Sequence, residues 1–233
     1  CMTGRDTRLW RLVAAAALGA VHAAGCLHPD CRFLGALPWR VLILTVMALL
    51  AFGLDARAIG TFLLVTLALG NLLHFVYEWS GDSPLTAPIA AVNESTWEHM
   101  KLLFVPFFLF TMVEFIVFAE PLRSFFAAKA ASILLGLLAI PVLFYSLGGM
   151  FGKTPDWVNI AIFFLADALL YFMSFRLLTR GALRGGAWQL AGFLLLWALA
   201  FAFVFFTYRP IRLPLWQDPT NGLYGLAAAR AAG

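Results

Sequence analysis

Seven apolar stretches, separated by short polar or Pro- and Gly-marked breaks, give this chain its pattern. They run over residues 9–27, 39–54, 58–77, 97–118, 125–147, 157–178 and 187–207. A helix needs about 20 predominantly apolar residues to cross ~30 Å of hydrocarbon. All seven reach or approach that length, the second being the shortest. The pattern predicts an all-α fold, a polytopic transmembrane helix bundle of about seven spans. The first stretch is Ala-rich and resembles a signal peptide. No cleavage site leading into a soluble domain follows it, so it is read as a span.

Composition strengthens that reading. Of 233 residues, 63% are hydrophobic and only 12% charged, with a mean hydropathy of +0.89. No ordinary soluble domain has this balance. Twenty-three Phe and eight Trp suit lipid contact and interfacial belts. The basic balance, net +4, comes from scattered arginines rather than a stripe, which excludes nucleic acid as a partner and leaves the lipid bilayer. With the N-terminus inside, nine Lys and Arg fall on the inner side and seven on the outer. Arg176, Arg180 and Arg184, between the last two spans, are the strongest part of that signal. The polar loop 78–96, the loop 148–156 and the Pro/Gly-rich tail 208–233 then share one face, the outer one. Cys26 and Cys31 bracket a four-residue spacer that permits a disulfide in an oxidising compartment, though spacing alone does not pair them.

In so oily a chain the polar residues carry the chemistry, and they are densest at Val92-Asn93-Glu94-Ser95-Thr96-Trp97-Glu98-His99-Met100-Lys101. Ser95 to Glu98 fits the capping box S-x-x-E. Glu94 and Glu98 would face one way if the helix begins a turn early. A purely structural role is the competing account: Glu98 caps, Trp97 anchors at the interface and His99 donates to a carbonyl. The third span ends with His74 and Glu78 four apart, on one helix face, beside Tyr77 and Trp79. Asn71 extends that polar face inward.

The later spans carry isolated polar residues. Pro106 frees the carbonyl of Leu102 and predicts a kink. Glu114 is expected to pair with Lys129 of the next span, which would reduce the cost of both charges. Asp167, Tyr171 and Ser174 form one stripe in the sixth span. Such a carboxylate marks either a functional site or a hydrogen bond between helices. In the tail, Asp218-Pro219-Thr220-Asn221-Gly222 is a strong turn signal, and the tail is expected to pack across the mouth of the bundle.

From Ala58 to about Leu226 the chain resembles an uncharacterised bacterial family of small multi-pass membrane proteins, known as a domain of unknown function. The strings that carry the resemblance are residues 74–81 (HFVYEWSG), 92–101 (VNESTWEHMK), 141–145 (PVLFY) and 214–219 (PLWQDP), with Gly222 and Tyr224. It implies a five-span core over residues 58–233, with the two spans in 1–57 as an addition, and a bacterial cytoplasmic membrane location. Similar proteins tend to have a His in the tail where this chain has Arg212. The family brings no activity with it.

Three functions fit these residues. The first is a metal-dependent hydrolase or transferase acting on a lipid or lipid-linked substrate at the outer interface. Glu94, Glu98 and His99 would be catalytic, with His74, Glu78 and His99 holding a divalent metal such as zinc. Trp79, Trp97, Asp218 and Tyr224 would contact substrate. The second is a small-solute or proton-coupled transporter using the intramembrane Glu114, Asp167 and Tyr171. The third is a non-catalytic, partner-binding membrane subunit. No G-x-S-x-G elbow, P-loop, G-x-G-x-x-G or H-E-x-x-H motif is present.

Overall fold

A computed structural model describes residues 59–118, 124–152 and 155–232. The chain divides into two units, Cys1–Thr61 and Phe62–Gly233, and all but three of the described residues belong to the second. The apolar stretches 9–27 and 39–54 and the pair Cys26 and Cys31 lie outside the described residues.

Among the described residues six helices follow one another: α1 (Ile59–Trp79), α2 (Thr96–Phe118), α3 (Phe125–Phe151), α4 (Asp156–Arg180), α5 (Gly186–Tyr208) and the short α6 (Gly225–Ala232). A single 3-10 turn, Pro214–Trp216, interrupts the tail. Among the described residues there is no strand, only one antiparallel bridge between Gln217 and Tyr224. Among the described residues four helices are long and apolar enough to cross a membrane: Thr96–Ile116, Phe125–Phe151, Trp157–Arg180 and Gly186–Tyr208.

The helix ends follow local chemistry. Gly181, at φ 57°, closes α4 by donating its N–H to the carbonyls of Leu177 and Leu178, the left-handed C-cap that glycine adopts without a Cβ clash. α3 runs to Phe151, four residues past the expected end at Leu147. Gly148 and Gly149 are accommodated inside it, and it stops at Gly152, whose φ is 76°. Pro106 and Pro141 both sit within continuous helices.

α3 packs most extensively on α4 and α5, and α2 lies against α3 and α5. The core holds Leu103, Phe104, Phe107, Ile133, Leu170, Leu196 and Phe203, all nearly inaccessible. The outer faces carry Ile116, Phe172, Trp188, Trp197, Phe201 and Phe205, all exposed. Large apolar side chains pointing outward around a closed core are what a lipid solvent selects. Gly192 lets α5 approach α3: a Cβ there would lie 2.6 Å from the backbone of Phe126 and Ala127.

One charge pair and one carboxylate–hydroxyl contact brace the bundle. Glu114 and Lys129 form the expected pair at 2.6 Å, and the Lys129 ammonium lies over the rings of Phe107 and Phe125. Asp167, fully buried, accepts from the Thr66 hydroxyl at 3.0 and 3.1 Å, joining α4 to α1. Tyr171 and Ser174 are buried along the same stripe. Asp167 therefore meets a hydroxyl and does not pair with a cation among the described residues.

Candidate functional site

The 92–101 segment folds into two sites facing opposite ways. α2 begins at Thr96, so Glu94 stays in the preceding loop and does not share a face with Glu98. Ser95 caps the helix through Oγ, which accepts the Glu98 N–H at 3.4 Å. The reciprocal half of the capping box is not made. The Glu98 carboxylate reaches past Ser95 to the Val92 N–H at 3.1 Å, and the Ser95 N–H is taken by Asn93 Oδ1 at 2.9 Å.

Glu98 is buried, 2% exposed, and is held 2.5 Å from the fully buried Lys101 ammonium. Lys101 also donates to the Ala87 carbonyl at 2.8 Å and to Thr207 Oγ1 at 2.9 Å. Three ammonium protons thus meet three acceptors from the α1–α2 loop, α2 and α5, which meets the requirement that a buried charge be paired and hydrogen-bonded. Glu98, expected to be catalytic, is inaccessible to solvent and locked in this pair.

The other face is open. His74 of α1, Glu94 of the loop and His99 of α2 converge. Glu94 Oε1 lies 3.5 Å from His74 Nε2, and Oε2 lies 3.6 Å from His99 Nε2. The imidazole centroids are 5.5 Å apart. The side chains are 28%, 47% and 33% exposed for His74, Glu94 and His99, so a substrate can reach them. The expected grouping of His74, Glu78 and His99 does not assemble. Glu78 is exposed and makes no ion pair among the described residues, and Glu94 is the carboxylate between the two rings. Among the described residues no group of three or more His, Cys, Asp or Glu is arranged to hold a metal ion.

The His99 tautomer follows from its partner. Nδ1 is 3.0 Å from the Ser95 carbonyl, and a carbonyl only accepts, so Nδ1 carries a proton. In the neutral ring Nε2 is then a bare acceptor facing a carboxylate. That approach is favourable only with positive charge on or between the two groups. His74 has its Nδ1 buried without a partner, and its edge packs on Phe75, which stacks on Trp79.

The tail holds the loop in place. Asp218, 2% exposed, accepts from the Glu94 N–H at 3.2 Å and from the N–H and hydroxyl of Thr220 at 2.8 and 2.6 Å. Asn93 Nδ2 donates to the Gly225 carbonyl at 3.0 Å. Trp97 is buried against Phe203, Phe206 and Trp216, which pins the same tail to α5. Asp218 and Trp97, expected to touch substrate, are thus committed to holding the tail. Trp79 and Tyr224 remain partly exposed. Thr66, Thr207 and the Ala87 carbonyl were not legible as partners, since each meets its charge across a long sequence separation.

No curated protein and no solved structure matches the chain. The family model that matches covers residues 43–226, beginning inside the apolar stretch 39–54, ahead of Ala58 where the resemblance was expected to begin. By that match, over three-quarters of its length, the chain belongs to the family of unknown function DUF6512.

Proposed function

We propose that the protein is an integral membrane enzyme of the bacterial cytoplasmic membrane, N-terminus inside, that performs acid–base chemistry on a lipid or lipid-linked substrate at the outer interface. One observation carries this reading: His74, Glu94 and His99 come from three separate elements to one open, half-exposed point. A carboxylate between two imidazoles can accept a proton from an attacking hydroxyl or water while an adjacent imidazole returns one to the leaving group. His99 is oriented for this by Ser95, and Glu94 by Asp218. Glu98 and Lys101 act as positioning residues that fix the start of α2.

The test is turnover by purified protein in bilayers of total membrane lipid, read by mass spectrometry, with Glu94→Gln alongside. The expected result is a lipid species consumed by the wild type and converted about 10²–10⁴-fold more slowly by the variant. No conversion, or equal conversion by both, overturns the proposal.

A further inference from the structure

Beyond the His–Glu–His point, a cavity of about 760 Å³ opens between the end of α5 and the tail. Tyr208, Arg209, Arg212, Gly222, Leu223 and Tyr224 line it. No carboxylate is among the lining residues. Neither guanidinium forms an ion pair among the described residues, and the Tyr224 hydroxyl has no hydrogen-bond partner there. Two unneutralised guanidiniums and a free hydroxyl around one concavity form an anion receptor, and guanidinium matches phosphate oxygens in a bidentate fork. The volume falls in the ~300–1,000 Å³ range of small-ligand sites.

The cavity is a built feature of the tail. Gln217 Nε2 donates to the Gly222 carbonyl at 3.0 Å, and the Gly222 N–H donates to the Asp218 carbonyl at 2.8 Å. Tyr208 fixes the α5 end by donating to the Pro84 carbonyl at 2.7 Å. It lies at the end of a helix apolar enough to cross a membrane, where lipid headgroups stand.

We propose that this cavity binds a phosphate group, as the headgroup of a phospholipid or as the free anion, through Arg209, Arg212 and Tyr224. The hairpin that walls it also carries Asp218, which holds Glu94, so a headgroup docked here lies beside the loop of the open cluster. The binding claim stands independently of turnover.

The experiment is native mass spectrometry of the full chain in detergent, titrated with phosphatidic acid, with diacylglycerol of the same chains, and with inorganic phosphate. Phosphatidic acid should be retained and diacylglycerol should not. Arg209→Gln/Arg212→Gln should weaken retention about tenfold or more, since charge-assisted bidentate bonds are lost. The exposed Arg212→Gln alone, the safer variant for folding, should give part of that loss. Arg176→Gln/Arg180→Gln, which removes the same charge elsewhere, should change nothing, and Glu94→Gln should bind as the wild type does. Phosphate binding without lipid retention identifies the free anion as ligand, while retention that millimolar phosphate does not displace identifies the headgroup. Equal retention of the two lipids with no phosphate binding, unchanged binding in both the Arg212→Gln and double variants, or an equal loss in Arg176→Gln/Arg180→Gln overturns the proposal.

Discussion

Glu98→Gln leaves the Lys101 ammonium fully buried with no counter-charge among the described residues. The Ala87 carbonyl and Thr207 Oγ1 still accept two of its protons, but neither carries charge. Removing one partner of a buried ion pair costs about 3–5 kcal/mol, because the remaining charge stays desolvated. For a chain of this size about 1 kcal/mol moves Tm by roughly 2–4 °C, so the midpoint should fall by roughly 6–20 °C. The double variant Glu98→Gln/Lys101→Met removes both charges and leaves side chains of similar volume. It should recover most of the loss, since apolar replacement of a whole buried pair is often neutral or stabilising. The assay is thermal unfolding of purified protein in detergent, followed by tryptophan fluorescence. A single variant that melts within about 2 °C of the wild type, or a double variant no more stable than the single, would refute the account of Lys101 as a charge neutralised by Glu98.

Gly192→Ala should destabilise by about 1–3 kcal/mol or more, because its Cβ meets the α3 backbone and cannot be accommodated by rotamer change. Gly148→Ala, with nothing within 4 Å of its Cβ, should be neutral or slightly stabilising in the same melt. Asp218→Ala removes the acceptor of the Glu94 and Thr220 N–H groups, and hydrogen exchange in residues 91–96 and 218–225 should rise with a loss of about 1–3 kcal/mol. Equal protection in that variant would mean that the tail does not hold the loop. Glu114→Gln strands the Lys129 ammonium between α2 and α3 and should cost about 3–5 kcal/mol, which Lys129→Met in the same chain should largely restore.

The helices were legible because the apolar runs are long and unbroken, and the ends of α2, α4 and α5 fall within two residues of the positions expected from hydropathy. α3 ran longer because two glycines inside an apolar helix do not stop it, whereas Gly152 does. The pairing of Glu114 with Lys129 was readable, since two lone charges on neighbouring spans have few other partners. The site was only half readable. Spacing rules speak to one helix, so they coupled His74 with Glu78 and Glu94 with Glu98. The fold instead set Glu94 from a loop between rings on two helices, and turned Glu98 inward to Lys101. Asp167 meeting Thr66, 101 residues away, and Asn93 meeting Gly225, 132 away, leave no local trace in sequence.

The convergence of His74, Glu94 and His99 is tested most directly by solid-state NMR in lipid bilayers. Recoupling between the Glu94 carboxyl carbon and the imidazole nitrogens reads their proximity. The N–O separations of 3.5 and 3.6 Å predict strong dephasing from Nε2 of both histidines, abolished for each by its own His→Ala substitution. A Glu94 carboxyl carbon that recouples to neither ring would contradict the site and the chemistry built on it.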